Sequence, residues 1–281
     1  MSTLHHDPRA VLQAHGMWTK KHLGQNFLVD PTVPDQIVTA GGVRADDVVF
    51  EIGAGVGTLT RALIGRAAQI TALEFDREIV PVLRAETLWS DAVTVRSGNV
   101  LDINWAEEAE AAGQPLMIYG NVPYNISSAI VAGLLEAPPN SWRRACLLLQ
   151  REFAERVAAT MGTRKAGTLS ALASLWSHAS IALHVPRTAF HPAPRVESAV
   201  LVLERRAEPA VEVGSPETYR KVVRALFAQR RKMARKALKP IAANTEALLA
   251  AAGVDGTRRG ETFNLEELGR LAKALHDGAG R

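Results

Sequence analysis

The stretch Val48-Val49-Phe50-Glu51-Ile52-Gly53-Ala54-Gly55-Val56-Gly57-Thr58 decides how the rest of the chain is read. Its first five residues predict a buried strand, the glycines a tight turn, and Thr58 to Ile64 a helix. Glycine lets the backbone turn sharply and lets a ligand approach where a Cβ would clash. The spacing is G-x-G-x-G and not the G-x-G-x-x-G of a dinucleotide site, because position 58 is Thr. A dinucleotide site seats a pyrophosphate on the helix N-terminus, and a nucleoside without phosphates has none. Glu74 follows a second strand, Ile70 to Leu73, where an acidic side chain can accept from ribose hydroxyls. The plainer alternative is a strand-to-helix turn beside a solvated Glu74.

Further apolar runs, Val93 to Val95, Leu116 to Tyr119 and Ala145 to Leu149, are separated by helix-length segments. Such spacing predicts parallel strands covered on both faces. Ser180 to Val185 and Ala199 to Leu203 bracket a loop with Pro186, Pro192 and Pro194, which suits the antiparallel edge of a mixed sheet. Arg205 to Pro216 lacks periodicity and marks a domain boundary. The expected architecture is an α/β, Rossmann-like domain with a mixed seven-stranded sheet over residues 1–207. A small all-α domain follows over 208–281, with helices at Glu217 to Lys239, Thr245 to Ala252 and Leu265 to His276. The first 20 or so residues read as a mobile arm with a short helix around Ala10 to Ala14.

Composition narrows the class. The chain has 281 residues, 47% hydrophobic and 22% charged, with a net charge of +4. This is the balance of a globular protein and excludes disorder as the main reading. The single cysteine, Cys146, rules out a disulfide framework and is expected in the core. The histidines lack metal-ligand spacing, so no metal is expected. With no long apolar run and no apolar signal-peptide core, a cytoplasmic monomer away from membranes is expected.

Asn121-Val122-Pro123-Tyr124 directly follows the fourth strand, at the carboxyl edge of the sheet where ligands bind. Its chemistry suits methylation of an exocyclic amine. The amine lone pair of adenine is delocalised into the ring. An Asn side-chain oxygen and a backbone carbonyl, accepting both amine hydrogens, favour the pyramidal form that attacks a methyl group. Pro123 fixes the local backbone, and Tyr124 offers a ring on which an extruded base can stack. The alternative is a loop in which Asn caps and Pro shapes the turn.

With both motifs on one chain, the sequence resembles the rRNA adenine N6,N6-dimethyltransferase family, most closely its bacterial small-subunit (16S) members. The likeness runs from Lys20 to about Leu271. It includes Leu23-Gly24-Gln25-Asn26-Phe27-Leu28, Glu51 to Thr60, Gly120 to Ser127, Phe190 to Val200, and Phe227-Ala228-Gln229-Arg230-Arg231-Lys232. The resemblance implies a class I S-adenosyl-L-methionine-dependent methyltransferase. Asn26 and Leu28 would contact the cofactor, Gly53 would line its methionine portion with Gly55 also at the cofactor, and Glu74 would hold the ribose. Asn121 would stand between cofactor and target amine, with Tyr124 and Phe190 sandwiching the adenine. The implied substrate is a pair of adjacent adenines near the 3′ end of small-subunit rRNA, in the assembling small subunit. Three departures stand out. Asn99 replaces a usual acidic residue, so its carbonyl oxygen would accept from the cofactor's adenine amine without charge. Ala54 stands where many relatives have Pro, and Ala166 to Ser170 lacks the usual Tyr and Arg.

Tyr219 to Pro240 carries nine basic residues and no acid, which leaves the remainder of the chain at about −5. On a continuous helix Arg220, Arg224, Arg231 and Arg235 form one stripe, while Val223, Leu226, Phe227, Met233, Ala234 and Leu238 face the core. Together with Arg230 and Lys232 these arginines are expected to meet RNA phosphates. Two other readings stay open. One is a large-subunit adenine N6-methyltransferase of the antibiotic-resistance type. The other is a catalytically silent assembly or transcription factor on the same fold.

Overall fold

The computed structural model describes residues 7–20 and 23–280. The chain divides into two compact units. One holds the residues up to Glu155 with Ser180–Arg205, the other Arg156–Ala179 with Arg206 onward.

The first unit opens with α1 (Pro8–Ala14), β1 (Phe27–Leu28), α2 (Val33–Gly41), β2 (Val48–Ile52), α3 (Thr58–Leu63), β3 (Gln69–Glu74) and α4 (Val80–Thr87). It continues with β4 (Val93–Ser97), α5 (Trp105–Ala112), β5 (Leu116–Asn121), α6 (Ser127–Glu136), β6 (Trp142–Gln150) and the start of α7 (Arg151–Val157). After α8 (Thr168–Trp176) come β7 (Ser177–Val185), β8 (Phe190–His191) and β9 (Ser198–Arg205). The seven-stranded sheet has the order β4-β3-β2-β5-β6-β9-β7, as a mixed α/β domain requires. Parallel β2 and β5 lie side by side at its middle, with Glu51 opposite Tyr119. They are buried almost throughout because helices cover both faces. The chain runs outward from β2 through β3 to β4 and then returns to β5, so a crevice opens beyond the carboxyl ends of β2 and β5. Antiparallel β9 closes on β6 in unbroken register from Arg144↔Glu204 to Gln150↔Ser198. Cys146 is buried, as its apolar strand predicts.

The short helix expected around Ala10 to Ala14 is present as α1, and it is packed rather than standing off as an arm. Asp7 caps α1 by accepting from the Arg9 N–H, and Pro8 occupies the first turn. Leu12 on that helix buries itself with Phe27, Val56, Ile79 and Val82. The arm's first six residues lie outside the described ones.

The second unit is helical, with α8, α9 (Pro216–Ala228), α10 (Ala234–Ala237), α11 (Thr245–Ala252) and α12 (Leu265–His276). It differs from the expected 208–281 domain by including Arg156–Ala179. The reason lies in α8, whose Ala171, Leu172, Ala173 and Leu175 are all buried. Tyr219 of α9 donates its hydroxyl to the Ala171 carbonyl at 3.0 Å. The non-periodic segment after Arg205 runs along the same helix, Ala210 N–H donating to the Leu175 carbonyl.

The expected helix from Glu217 to Lys239 is broken. α9 stops at Ala228, and the chain turns through Gln229 before the short α10. On a continuous helix Arg230 would fall on the face that buries Val223, Leu226 and Phe227, where a guanidinium is costly. The single basic stripe is therefore absent. Met233, expected in the core, is 40% exposed.

Candidate functional site

Beyond β2 and β5 lies a cavity of about 310 Å³, near the lower end of ligand-site volumes. The glycine turn forms one wall. Gly53 and Gly55 have φ of 70° and 57°, a region that side chains disfavour. A Cβ on Gly55 would stand 3.0 Å from the Phe27 ring. The Gly53 and Ala54 N–H groups donate to the Leu73 carbonyl, which ties the turn to β3.

Two carboxylates border this turn. Glu74 is 8% exposed. Its Oε2 accepts from Gly55 N–H and its Oε1 from Asp76 N–H, each at 2.8 Å. Each oxygen keeps a second lone pair for a ligand hydroxyl. Burial pushes its pKa up, and these N–H donors hold it back. Glu51, 1% exposed, accepts from the Thr60 hydroxyl at 2.6 Å. Burial raises its pKa to about 7, against the pull of Thr60 and helped by the Glu74 charge.

A strap from the N-terminal region forms the facing wall. Leu23 to Leu28 line the cavity, Leu28 and Phe27 being held by β1 against β8. The strap is also fastened to the loop after β3. Gln25 Nε2 and Lys20 Nζ donate to the two oxygens of Asp76 at 2.9 Å, and Lys20 also reaches Glu78. Burial would raise the Asp76 pKa, but Lys20 and its other donors win and lower it.

At the end of β5, Asn121 Nδ2 donates to the Asn26 carbonyl at 2.8 Å. The nitrogen is thereby committed and Oδ1 is left as the acceptor. The Val122 N–H donates to the Leu148 carbonyl, continuing the pairing of β5 with β6 into the loop. The Tyr124 hydroxyl is 2.6 Å from Ser198 Oγ, which fixes the ring. Burial raises its pKa, with Ser198 opposing.

The cavity thus gathers Asn26, Leu28, Gly53, Gly55, Glu74, Asn99, Asn121 and Tyr124, all singled out in the sequence. Phe190 does not join them. It is 3% exposed, pairs with Leu28 across β1 and β8, and packs among Val185, Ala189 and Val200. On a strand this short, successive side chains face opposite ways, so Phe190 points inward and His191 outward. Phe75 and Leu101 join the site without having been marked by the sequence as ligand contacts. Both line the cavity yet are 60% and 47% exposed. Phe75 directly follows Glu74 and Leu101 stands two positions after Asn99, and an unshielded apolar side chain near a polar one suits the flat face of a base.

The residues fit a cationic nucleoside. They supply carboxylates for positive charge and hydroxyls, amides for polar edges, apolar faces for a purine, and a Cβ-free turn. Among the described residues no cluster of His, Cys, Asp and Glu could hold a metal ion, and no helix is long and apolar enough to cross a membrane.

In the second unit the six basic residues have different surroundings. Arg230 donates to the carbonyls of Arg164 and Ala166 at 2.8 and 2.9 Å, so it braces its own unit. Arg224, Arg231, Lys232 and Arg235 are exposed, and Arg220 is half-buried.

Comparison with known proteins agrees with this geometry. The family description "Ribosomal RNA adenine dimethylase" matches residues 17–277. A ribosomal RNA small subunit methyltransferase A of Magnetococcus marinus is 39% identical, covering 94% of each chain. One from Anaeromyxobacter is 41% identical over 95% of this chain and 97% of its own. The crystal structure of the 23S rRNA methyltransferase ErmE superposes with a TM-score of 0.70 at 30% identity, covering 89% of this chain and 99% of that one. A dimethyladenosine transferase from Plasmodium falciparum shares the fold at a TM-score of 0.71 and 20% identity, covering 87% and 95%. With its Rossmann-like sheet, its amide-lined cavity and a match along nearly its whole length, the chain belongs to the ribosomal RNA adenine dimethylase family.

Proposed function

We propose that the protein transfers methyl groups from S-adenosyl-L-methionine to the N6 amines of two adjacent adenines near the 3′ end of small-subunit rRNA. The observation that carries this reading is the Asn121–Asn26 hydrogen bond, which commits the amide nitrogen and leaves an oxygen for an amine. The cofactor supplies an activated methyl on a sulfonium that leaves as a neutral thioether. Glu51 and the glycine turn face its methionine portion, Glu74 accepts from the ribose, and Phe75 and Leu101 cover the purine. Asn26 and Leu28 close the opposite side. Asn121 Oδ1 accepts from the target amine and turns its lone pair toward the methyl carbon. No strong base is required, because the amine proton leaves after the new N–C bond has formed. Tyr124 stacks on the target base, which must leave its helix to arrive there.

Arg224, Arg231, Lys232 and Arg235 contact RNA phosphates, supported by their exposure, and the half-buried Arg220 joins them through the concentration of positive charge in this segment. Arg230 serves the same surface only through the turn that it braces. The partner is the assembling small subunit in the cytoplasm, and the chain acts as a monomer. The names of the Magnetococcus and Anaeromyxobacter relatives favour the small subunit over the large-subunit reading that the likeness to ErmE keeps in view. The test is methyl transfer from labelled cofactor to small subunits of a deletion strain, mapped by primer extension. Label on two adjacent small-subunit adenines is expected. Label only on large-subunit RNA, or none, would overturn the assignment.

A further inference from the structure

Asp76 is bonded to both walls of the cavity without lining it. On one side its backbone N–H donates to Glu74 Oε1 at 2.8 Å. On the other its buried side chain holds the strap: Oδ2 accepts from Gln25 Nε2 and Oδ1 from Lys20 Nζ, both at 2.9 Å. Gln25 is kept in the orientation this needs, because its Oε1 accepts from the Lys20 N–H at 2.8 Å. Gln25 directly precedes Asn26, whose carbonyl accepts from Asn121 Nδ2. Directly after Asn26 the chain enters β1, where Phe27 and Leu28 pair with β8. Asn26 thus lies between two fastenings, β1 on its C-terminal side and Asp76, through Gln25, on its N-terminal side.

We infer that Asp76 is a positioning residue for methyl transfer: through Gln25 it sets the Asn26 carbonyl, and that carbonyl aims the amide of Asn121. The inference rests on the function proposed above. Changing the Asp76 side chain leaves its backbone N–H on Glu74 and leaves Leu28 paired across β1 and β8, so the cofactor keeps those contacts. What loses definition is the direction of Asn121 Oδ1, and rate depends steeply on alignment at a reacting atom. Turnover should therefore suffer more than cofactor affinity.

Two single exchanges and their combination test this. Cofactor affinity is read by calorimetry with S-adenosylhomocysteine, and rate by single-turnover methyl transfer to small subunits of a deletion strain at saturating cofactor. Asp76→Asn sets an NH₂ group against either Gln25 Nε2 or Lys20 Nζ, and Gln25→Glu sets carboxylate oxygen against carboxylate oxygen. Each is expected to bind within about threefold of wild type and to react about tenfold more slowly, the scale of one hydrogen bond to a charged group. The combined variant trades amide and carboxylate across the same contact. Its donor stands at position 76 and its acceptor at position 25, where the Lys20 N–H is still received. It is expected to return to within about threefold of the wild-type rate, which a merely structural role would not produce. Unchanged rates in the single variants would overturn the inference, as would a parallel tenfold loss of affinity, or a combined variant as slow as the slower single one. Should Asp76→Asn fail to fold, Gln25→Ala leaves Asp76 paired with Lys20 and carries the same expected loss of rate, with an unchanged rate as its refutation. A wild-type chain that neither binds S-adenosylhomocysteine at millimolar concentration nor transfers methyl would overturn the proposed function, and the inference with it.

Discussion

Asn121 and Asn26, 95 positions apart in the chain, meet through a 2.8 Å hydrogen bond from side-chain amide to backbone carbonyl. The backbone of one wall thus sets the orientation of the reacting amide on the other.

Removing that amide should separate binding from chemistry. Asn121→Ala is expected to keep cofactor affinity within about threefold while turnover falls at least about a hundredfold, as for loss of a contact made at the reacting atom. Calorimetry and single-turnover methyl transfer measure the two. A parallel loss of both would make Asn121 a structural residue.

The buried Glu51 predicts an unusual pH dependence of stability. Its pKa is about 7 in the fold against an ordinary value of 4.5. Between these values the unfolded chain has released a proton that the folded chain retains. Stability contributed by this group is therefore full at low pH and declines as pH rises through that window, by an upper bound on the order of 3 kcal/mol. Glu51→Gln keeps an acceptor for Thr60 and should lose less stability between pH 5 and pH 8 in denaturant titrations. Superimposable pH profiles for the two proteins would contradict this.

Tyr124 and Phe190 should respond in opposite ways. Tyr124→Ala is expected to lower turnover by roughly 10- to 100-fold, the scale of one stacked base, with little effect on unfolding. Tyr124→Phe, which keeps the ring and loses Ser198, should remain within about threefold of wild type, since one neutral hydrogen bond is worth little net. Phe190→Ala should cost about 3–5 kcal/mol of stability, as for other buried aromatic truncations. A folded, stable Phe190→Ala protein with impaired turnover would restore this ring to the base site.

Arg230 and Arg231 are adjacent yet predict different defects. Arg230→Ala removes two hydrogen bonds, of which only the one to Ala166 is part-buried, and should destabilise the helical unit by about 0.5–1.5 kcal/mol. Arg231→Ala should leave unfolding unchanged and reduce the slope of log affinity against log salt, on small subunits, by about one unit. Equal slopes for wild type and Arg231→Ala would remove Arg231 from the RNA surface.

Much of the site was legible because its residues sit where strands end. Val48 to Ile52 and the glycines after it announce both the turn and its ligand face, and Asn121 follows a strand in the same way. What stayed hidden depends on partners remote in sequence. Nothing near Phe190 reveals that Leu28 pairs with it and draws its ring inward. The cap that Asn99 gives to the Leu101 N–H is local, but that Phe75 lines the same cavity as both becomes visible only in the fold. The stripe expected along Tyr219 to Pro240 assumed an unbroken helix, whereas the helix stops at Ala228, before the turn in which a continuation would put Arg230 on the apolar face.

The route of the chain through its two units has a practical consequence. Because Arg156–Ala179 joins Arg206 onward, the backbone passes between the units at three places. Cutting after residue 207 would not release a tidy catalytic fragment. It would leave α8 behind without Tyr219 and the helices that shield Leu172 and Leu175, a sticky, half-dressed remnant. Any exchange of the helical unit between relatives has to carry two separate pieces of gene, and a graft of the C-terminal piece alone must tolerate a foreign α8.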